Sequence, residues 1–177
     1  MKLWHRGSLI GTILLAGFLI GCGQRPLNST TTAPGVELTE VTTAGFDAIL
    51  AEQKGKVVYV DVWFLGCPPC VERFPHVVEL HKKYADQGLV VMSVDVNVKE
   101  LKKQDKVLVF LSKHEAKFPN YILTDEKKVV DAWQVKNKVE YTPGEILIDR
   151  DGKRIEIPED ARMDEIEAVM KKLLAAK

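Results

Sequence analysis

The sequence predicts an α/β fold in which a mixed central β-sheet is flanked by helices on both faces. Three observations lead there. Strand-like and helix-like stretches alternate along the chain, two of the strand-like stretches are near-continuous apolar runs, and an Asp-Gly turn joins two further strands before a last amphipathic helix. Strands joined by helical crossovers lie parallel and a tight hairpin is antiparallel, so a sheet containing both is mixed.

Taken in order, the first 22 residues differ from the rest. Lys2, His5 and Arg6 precede the apolar run Leu9 to Ile20, which Gly21 and Cys22 close. A basic head, a short apolar core and small residues at its end describe a secretory signal, whereas a full membrane span needs about 20 apolar residues. Residues 23–35, rich in Ser, Thr, Pro, Asn and Gly and without periodicity, read as a flexible tether, and residues 36–177 as one folded domain. Within it, Val36 to Val41 is extended, and Ala44 to Gln53 places Phe46, Ile49 and Leu50 on one helical face. Lys56 to Trp63 is a buried central strand, and Pro68 to Gln87 a long helix broken or kinked at Pro75. Leu89 to Val94 is a second buried strand, ending at Asp95. Lys106 to Ala116 has helical spacing, Tyr121 to Leu123 is short and extended, and Glu126 to Val135 is another helix. Glu145 to Asp149 and Lys153 to Ile157 pair around Arg150-Asp151-Gly152, and Ala161 to Ala175 closes the domain with an apolar stripe from Ile166 to Leu174.

The chemistry lies at the junction of the central strand and the long helix, in Trp63-Phe64-Leu65-Gly66-Cys67-Pro68-Pro69-Cys70. A helix N-terminus has unpaired N–H groups and partial positive charge, so Cys67 placed there ionises more readily. Pro68 and Pro69 suit the first turn, where a missing N–H loses nothing. Cys70, three positions on, falls on the same side and within reach, so one thiolate can attack and the other resolve. Asp61 is the oddity of the strand, because a carboxylate buried there is costly and unsuited to stability alone.

Composition narrows the alternatives. Lys plus Arg equals Asp plus Glu at 25 each, which excludes a strongly basic nucleic-acid footprint, and 46% apolar residues suffice for a real core. The run from Lys99 to Lys106 is interrupted by acids and a leucine and reads as a solvated helix face. Three cysteines are present, and setting Cys22 aside leaves Cys67 and Cys70 as an isolated pair without a structural disulfide framework. His76, His81 and His114 are apart from the cysteines and read as surface or edge residues.

The Trp-x-x-x-Cys-Pro-Pro-Cys motif, Thr142-Pro143 ahead of Ile146-Leu147-Ile148-Asp149-Arg150-Asp151-Gly152, and this element order together resemble the thioredoxin fold. More narrowly, the chain is similar to the membrane-anchored thiol-disulfide oxidoreductases of bacterial envelopes, the TlpA- and ResA-like group, which includes the reductants of cytochrome c maturation. Leu19-Ile20-Gly21-Cys22 resembles the lipobox of bacterial lipoproteins, which implies a lipid on Cys22. The resemblance implies a cis bond before Pro143, which lies against the cysteines, with Thr142 and neighbouring backbone pairing to bound substrate. Asp61 matches the buried acid of thioredoxin itself, a resemblance that implies it moves the proton of the resolving cysteine, whereas the envelope group more often has an uncharged residue there. Two departures stand out: Arg73 occupies the position where the group more often has a glutamate, and Gly66 replaces a common tryptophan. Arg73 is expected to face solvent. Trp63 is expected either to fill the core beneath the cysteines or, with Gly66, Pro68 and Pro69, to join the rim that binds substrate.

The leading expectation is an enzyme outside the cytoplasmic membrane, a thiol-disulfide oxidoreductase without a cofactor. It would reduce disulfides in exported partner proteins such as apocytochrome c, be re-reduced by a membrane thiol donor, and act as a monomer. The same residues run backwards make a thiol oxidase. A copper-binding or other metal-binding module is a further alternative, as two thiolates can hold copper(I) or half of a zinc site, and a redox-silent adaptor is a third. No metal ligand set beyond the two thiols is evident.

Overall fold

The computed structural model describes residues 29–158 and 160–176. The signal segment, Cys22 and the first part of the expected tether lie outside the described residues. The elements are β1 (Thr30–Ala33), β2 (Val36–Val41), α1 (Thr43–Ala51), β3 (Val57–Trp63), α2 (Pro68–Tyr84), β4 (Leu89–Asp95), α3 (Gln104–Lys113), β5 (Asn120–Leu123), α4 (Lys127–Lys136), β6 (Gly144–Ile148), β7 (Arg154–Ile155) and α5 (Met163–Ala175).

The seven strands form one sheet in the order β1-β2-β5-β4-β3-β6-β7. β3 pairs parallel with β4 along its whole length, from Val57 opposite Leu89 to Trp63 opposite Asp95, and antiparallel with β6, where Asp61 faces Glu145 and Val62 faces Gly144. All seven residues of β3 are buried, as a continuous apolar run demands of a central strand. Its alternating side chains divide the core in two. Val58, Val60 and Val62 pack with Phe46 of α1 and Trp133 of α4, while Tyr59 and Trp63 pack with α2, α3 and α5. Asp61 therefore points to the same side as Tyr59 and Trp63, the side that α2 covers.

Most expected elements are present, and the departures have local causes. The sheet begins inside the segment read as a tether: Thr30–Ala33 pairs antiparallel with β2, and Pro34 with Gly35, at φ +73°, makes the two-residue connection. Threonines are good strand formers, which a reading by linker composition overlooks. The long helix ends at Tyr84 and continues to Gln87 as a 3-10 turn that Gly88 closes at φ +93°. The run from Lys99 to Lys106 is not one solvated helix face, since a 3-10 turn, Glu100–Lys103, precedes α3 and Glu100 is buried. In the hairpin only Arg154–Ile155 pairs with β6, around a turn in which the Asp149 carboxylate accepts the N–H groups of Asp151 and Lys153. Each of these segments lies at a sheet edge or beyond a strand end, where few neighbours constrain the backbone.

Candidate active site

The polypeptide leaves β3 at Trp63, turns through Phe64, Leu65 and Gly66, and enters α2 at Pro68. Cys67 is the N-cap of α2 and its Sγ accepts the N–H of Cys70 at 3.3 Å. Pro68 and Pro69 fill the first two helical positions, and that turn contains no acidic residue. Cys67 and Cys70 form a disulfide, with Cα atoms 5.3 Å apart. Cys67 keeps 4% of its surface in solvent and Cys70 none, so Cys67 is the more accessible of the two. Once the bond opens, the helix terminus and the Cys70 N–H both favour a thiolate on Cys67.

Beneath this turn lies an ionic cluster. Asp61 is completely buried; burial pushes its carboxyl above the ordinary range, and the Arg73 guanidinium pulls it part of the way back. Arg73 Nη2 donates to Asp61 Oδ1, its Nη1 pairs with Glu145 Oε1, and Nη2 also reaches the carbonyl of Gly144 at 3.4 Å. The expectation that Arg73 faces solvent is thus corrected: its side chain is 12% exposed. Asp61 and Glu145 stand directly opposite on β3 and β6, where two like charges repel, and Arg73, one turn beyond Cys70, reaches between them. One guanidinium therefore ties the cysteine helix to both strands. Asp61 Oδ2 is buried without a hydrogen-bond partner among the described residues. Tyr59, two residues before Asp61 on the same face, is also fully buried, and burial raises its phenol well above the ordinary value.

The Thr142-Pro143 bond is cis. Because Gly144, the first residue of β6, pairs with Val62, this dipeptide lies just before β6, level with Trp63 and beside the entrance to α2. Gly144 tolerates no side chain there, as a Cβ would stand 2.9 Å from the Tyr141 carbonyl oxygen. Gly66, Pro68 and Pro69 are exposed around Cys67, and Thr142 and Pro143 are half-buried. Trp63 is not part of the rim. It is 1% exposed and packs on Phe74 and Phe110 at ring-centroid distances of 4.9 and 5.1 Å, so it supports the turn from below. An open groove of about 360 Å³ runs between Phe64 and Thr142, with Val96 and Val98 among its apolar walls and Lys99, Gln134 and Glu140 among its polar ones.

Two site residues escaped the sequence reading. Glu145 gave no signal, because its importance depends on strand register. Glu100 accepts the N–H of Leu65 at 2.9 Å and that of Gly66 at 3.1 Å, and so holds the turn before Cys67. Its one sequence cue is an acid in a lysine-rich run just beyond a buried strand. Of the histidines, His76 is 39% exposed near Glu79 and Glu167, while His81 and His114 lean on Phe118 and Phe110, where partial burial lowers both imidazoles. Among the described residues no three His, Cys, Asp or Glu side chains converge on a common point, and no helix is long and apolar enough to cross a membrane.

The chain is similar to known thiol-disulfide oxidoreductases. The thiol-disulfide oxidoreductase ResA of Bacillus subtilis is 27% identical over 157 residues, covering 85% of this chain and 80% of that protein. The ResA of Bacillus cereus is 27% identical over 142 residues, covering 80% and 76%. Two solved structures share the fold: a thiol-disulfide isomerase from Corynebacterium glutamicum, with a TM-score of 0.62 at 23% identity over 72% of this chain and 86% of that one, and the thioredoxin domain of a thiol-disulfide oxidoreductase from Bacteroides vulgatus, with a TM-score of 0.58 at 21% identity over 83% and 93%. Residues 28–170 match the Redoxin family. With its Cys67–Cys70 disulfide at the start of α2 on this fold, the chain belongs to the Redoxin family as a ResA-like thiol-disulfide oxidoreductase.

Proposed function

We propose that this oxidoreductase works as a reductant of disulfides in exported proteins, held at the outer side of the cytoplasmic membrane by a lipid on Cys22. The observation that supports the direction is the charge around the cysteines. Three carboxyl groups, Asp61, Glu100 and Glu145, gather under and beside the Cys67 turn against one guanidinium, that of Arg73. Carboxylates oppose the thiolate, and a reduced form that is poorly stabilised gives up its electrons more readily.

In the reaction, the Cys67 thiolate attacks one sulfur of the partner disulfide; the partner S–S bond breaks and its other sulfur leaves and takes a proton. Cys70 then gives its proton to the unpartnered Oδ2 of Asp61, and the Cys70 sulfur attacks Cys67. The Cys67–Cys70 bond forms, and the second partner sulfur departs as a thiol once protonated. Two electrons and two protons have passed to the partner. Thr142, Pro143, Gly66, Pro68 and Pro69 form the surface on which the partner rests. A thiol donor in the membrane restores the dithiol, because the compartment is usually oxidising. Apocytochrome c, which must be reduced before it receives haem, has the chemistry of such a partner.

The test is the midpoint potential of the full-length protein in thiol-disulfide buffers, read by alkylation of Cys67 and Cys70. A value at or below about −250 mV fits a reductant fed from the membrane, and one near −120 mV makes it an oxidant of folding proteins. Anchoring is tested separately: incorporation of labelled fatty acid that persists in Cys22→Ser would sink the lipobox reading.

A further inference from the structure

The acid that holds the Cys67 turn is itself held by a second acid. Asp95 ends β4, where it pairs with Trp63 on one side and Ile122 on the other, and it is 0% exposed. Its carboxyl lies within hydrogen-bond range of that of Glu100, and its Oδ1 accepts the N–H of Asn97 at 2.8 Å. Asp95 Oδ2 is buried and accepts no hydrogen bond among the described residues, so it is the oxygen left to carry a proton. Glu100, also buried, accepts the Leu65 and Gly66 N–H groups with its two oxygens, and Asn97 Nδ2 reaches Oε1 at 3.4 Å. Neither Trp63 nor Ile122 titrates. The titratable groups of the adjoining groove, Lys99, Lys127, Asp131 and Glu140, are all exposed and shared with solvent.

We propose that Glu100 is a positioning residue for thiol-disulfide exchange: a proton on Asp95 Oδ2, donated to the Glu100 carboxylate, locks one negative charge against the backbone of Leu65 and Gly66, fixing Cys67 and opposing ionisation of its thiol. Two buried carboxylates at hydrogen-bond range cannot both be ionised without a cation, so the pair keeps one proton. Burial and the hydrogen bond to Glu100, in that order, push Asp95 well above its ordinary value of 3.8, which makes Asp95 the protonated member. The charge stays on Glu100, whose two oxygens take two donors that an acid could not serve as well. With those amides turned to Glu100 they are unavailable to the Cys67 sulfur, and the charge adds to the effect. This inference rests on the reductant reading for its biological sense, but the shifts below are differences between variants and do not depend on the absolute potential.

The test is a charge series in the full-length protein, read by the pH profile of Cys67 alkylation and by midpoint potential. Asp95→Asn mimics the protonated acid and donates to Glu100, so its profile and potential are expected to coincide with those of the unaltered protein. Asp95→Asn with Glu100→Gln keeps the shape and removes the charge; its alkylation rate below the thiol pKa should rise about three- to tenfold, as for one charge removed at a few ångströms in a partly solvated site, and its potential should become more oxidising. Coincidence of the double variant with the unaltered protein overturns the proposal. So does a full shift in Asp95→Asn alone, which would place the charge on Asp95. Should the double variant fail to fold, infrared spectroscopy at neutral pH decides, since a protonated-carboxyl band removed by Asp95→Asn is required and its absence overturns the assignment.

Discussion

Two buried aspartates flank the cysteine turn, and they are neutralised in opposite ways. Asp61 in β3 has a cation, Arg73, shared with Glu145; Asp95 at the end of β4 has a carboxyl neighbour, Glu100, and no cation beside it among the described residues. An isolated buried charge is untenable in either place, so the first site solves the problem with a salt bridge and the second with a proton. The first site is therefore the more sensitive to removal of its cation, and the second the more sensitive to pH. The two also differ in the work proposed for them: Asp61, which the Arg73 guanidinium pulls back toward the charged form, is the proposed acceptor of the Cys70 proton, and Asp95 the proposed holder of Glu100.

The largest expected effect comes from breaking the first site. Arg73→Met leaves Asp61 and Glu145 facing each other without the guanidinium, and unfolding in denaturant should show a loss of about 3–5 kcal/mol. Adding Asp61→Asn should restore much of it, because the buried charge is then gone. A loss below about 1 kcal/mol for Arg73→Met would mean that the cluster is a surface feature, contrary to its burial. Next in size is Asp61→Asn alone. It removes the proton acceptor while preserving shape, and single-turnover reduction of a disulfide substrate at neutral pH should slow about 10- to 100-fold with little change in stability. Unchanged rates would remove Asp61 from the mechanism.

The two sites were unequally legible in the sequence, for a physical reason. Asp61 announced itself because its neighbours in the chain, Val60 and Val62, declare a buried strand, and the cysteine pair with two prolines declares a helix start. Both signals are local. Arg73 was misjudged because helix position alone does not tell that Glu145, far along the chain, is the register partner of Asp61. Glu100 was hidden among lysines, and its burial depends on a 3-10 turn that folds it back under Leu65 and Gly66. Composition hides β1, since Pro34 and Gly35 serve a tether and a hairpin equally well. The helices, the apolar strands and the Asp-Gly turn were legible for the opposite reason, each being specified by residues within one element.

A third, smaller effect sharpens the contrast through pH. A carboxyl whose pKa is higher folded than unfolded binds more protons in the native state, so its stabilising contribution is complete below the ordinary aspartate value of 3.8 and is lost as pH rises through the folded value. Asp95, and to a lesser extent Asp61, should therefore make the protein less stable as pH rises above 3.8, with a slope of about 1.4 kcal/mol per pH unit for each group titrating. Asp95→Asn should flatten that limb. An equally steep limb in Asp95→Asn would place the raised carboxyl elsewhere.

The smallest effect concerns a carboxylate of the opposite kind and completes the profile. Glu167 on α5 accepts hydrogen bonds from Lys83 and the Tyr84 hydroxyl on α2, with Lys171 beside it, and these hold it down at about 2. A depressed carboxyl contributes stability above its ordinary value of 4.5 that is lost as pH falls toward the folded value. Lys83 and Lys171 are 58% and 54% exposed, so solvent screens much of the attraction, and Glu167→Gln should lose only about 1 kcal/mol at neutral pH. Its imprint is on the acid limb of the stability profile, between pH 4.5 and about 2, which should become shallower while the limb that falls with rising pH keeps its slope. Asp95→Asn should do the reverse. If either substitution altered both limbs, the buried acids and the α2–α5 clamp would be coupled, and the separation of a charged, a protonated and a solvent-screened carboxylate in one small domain would fail.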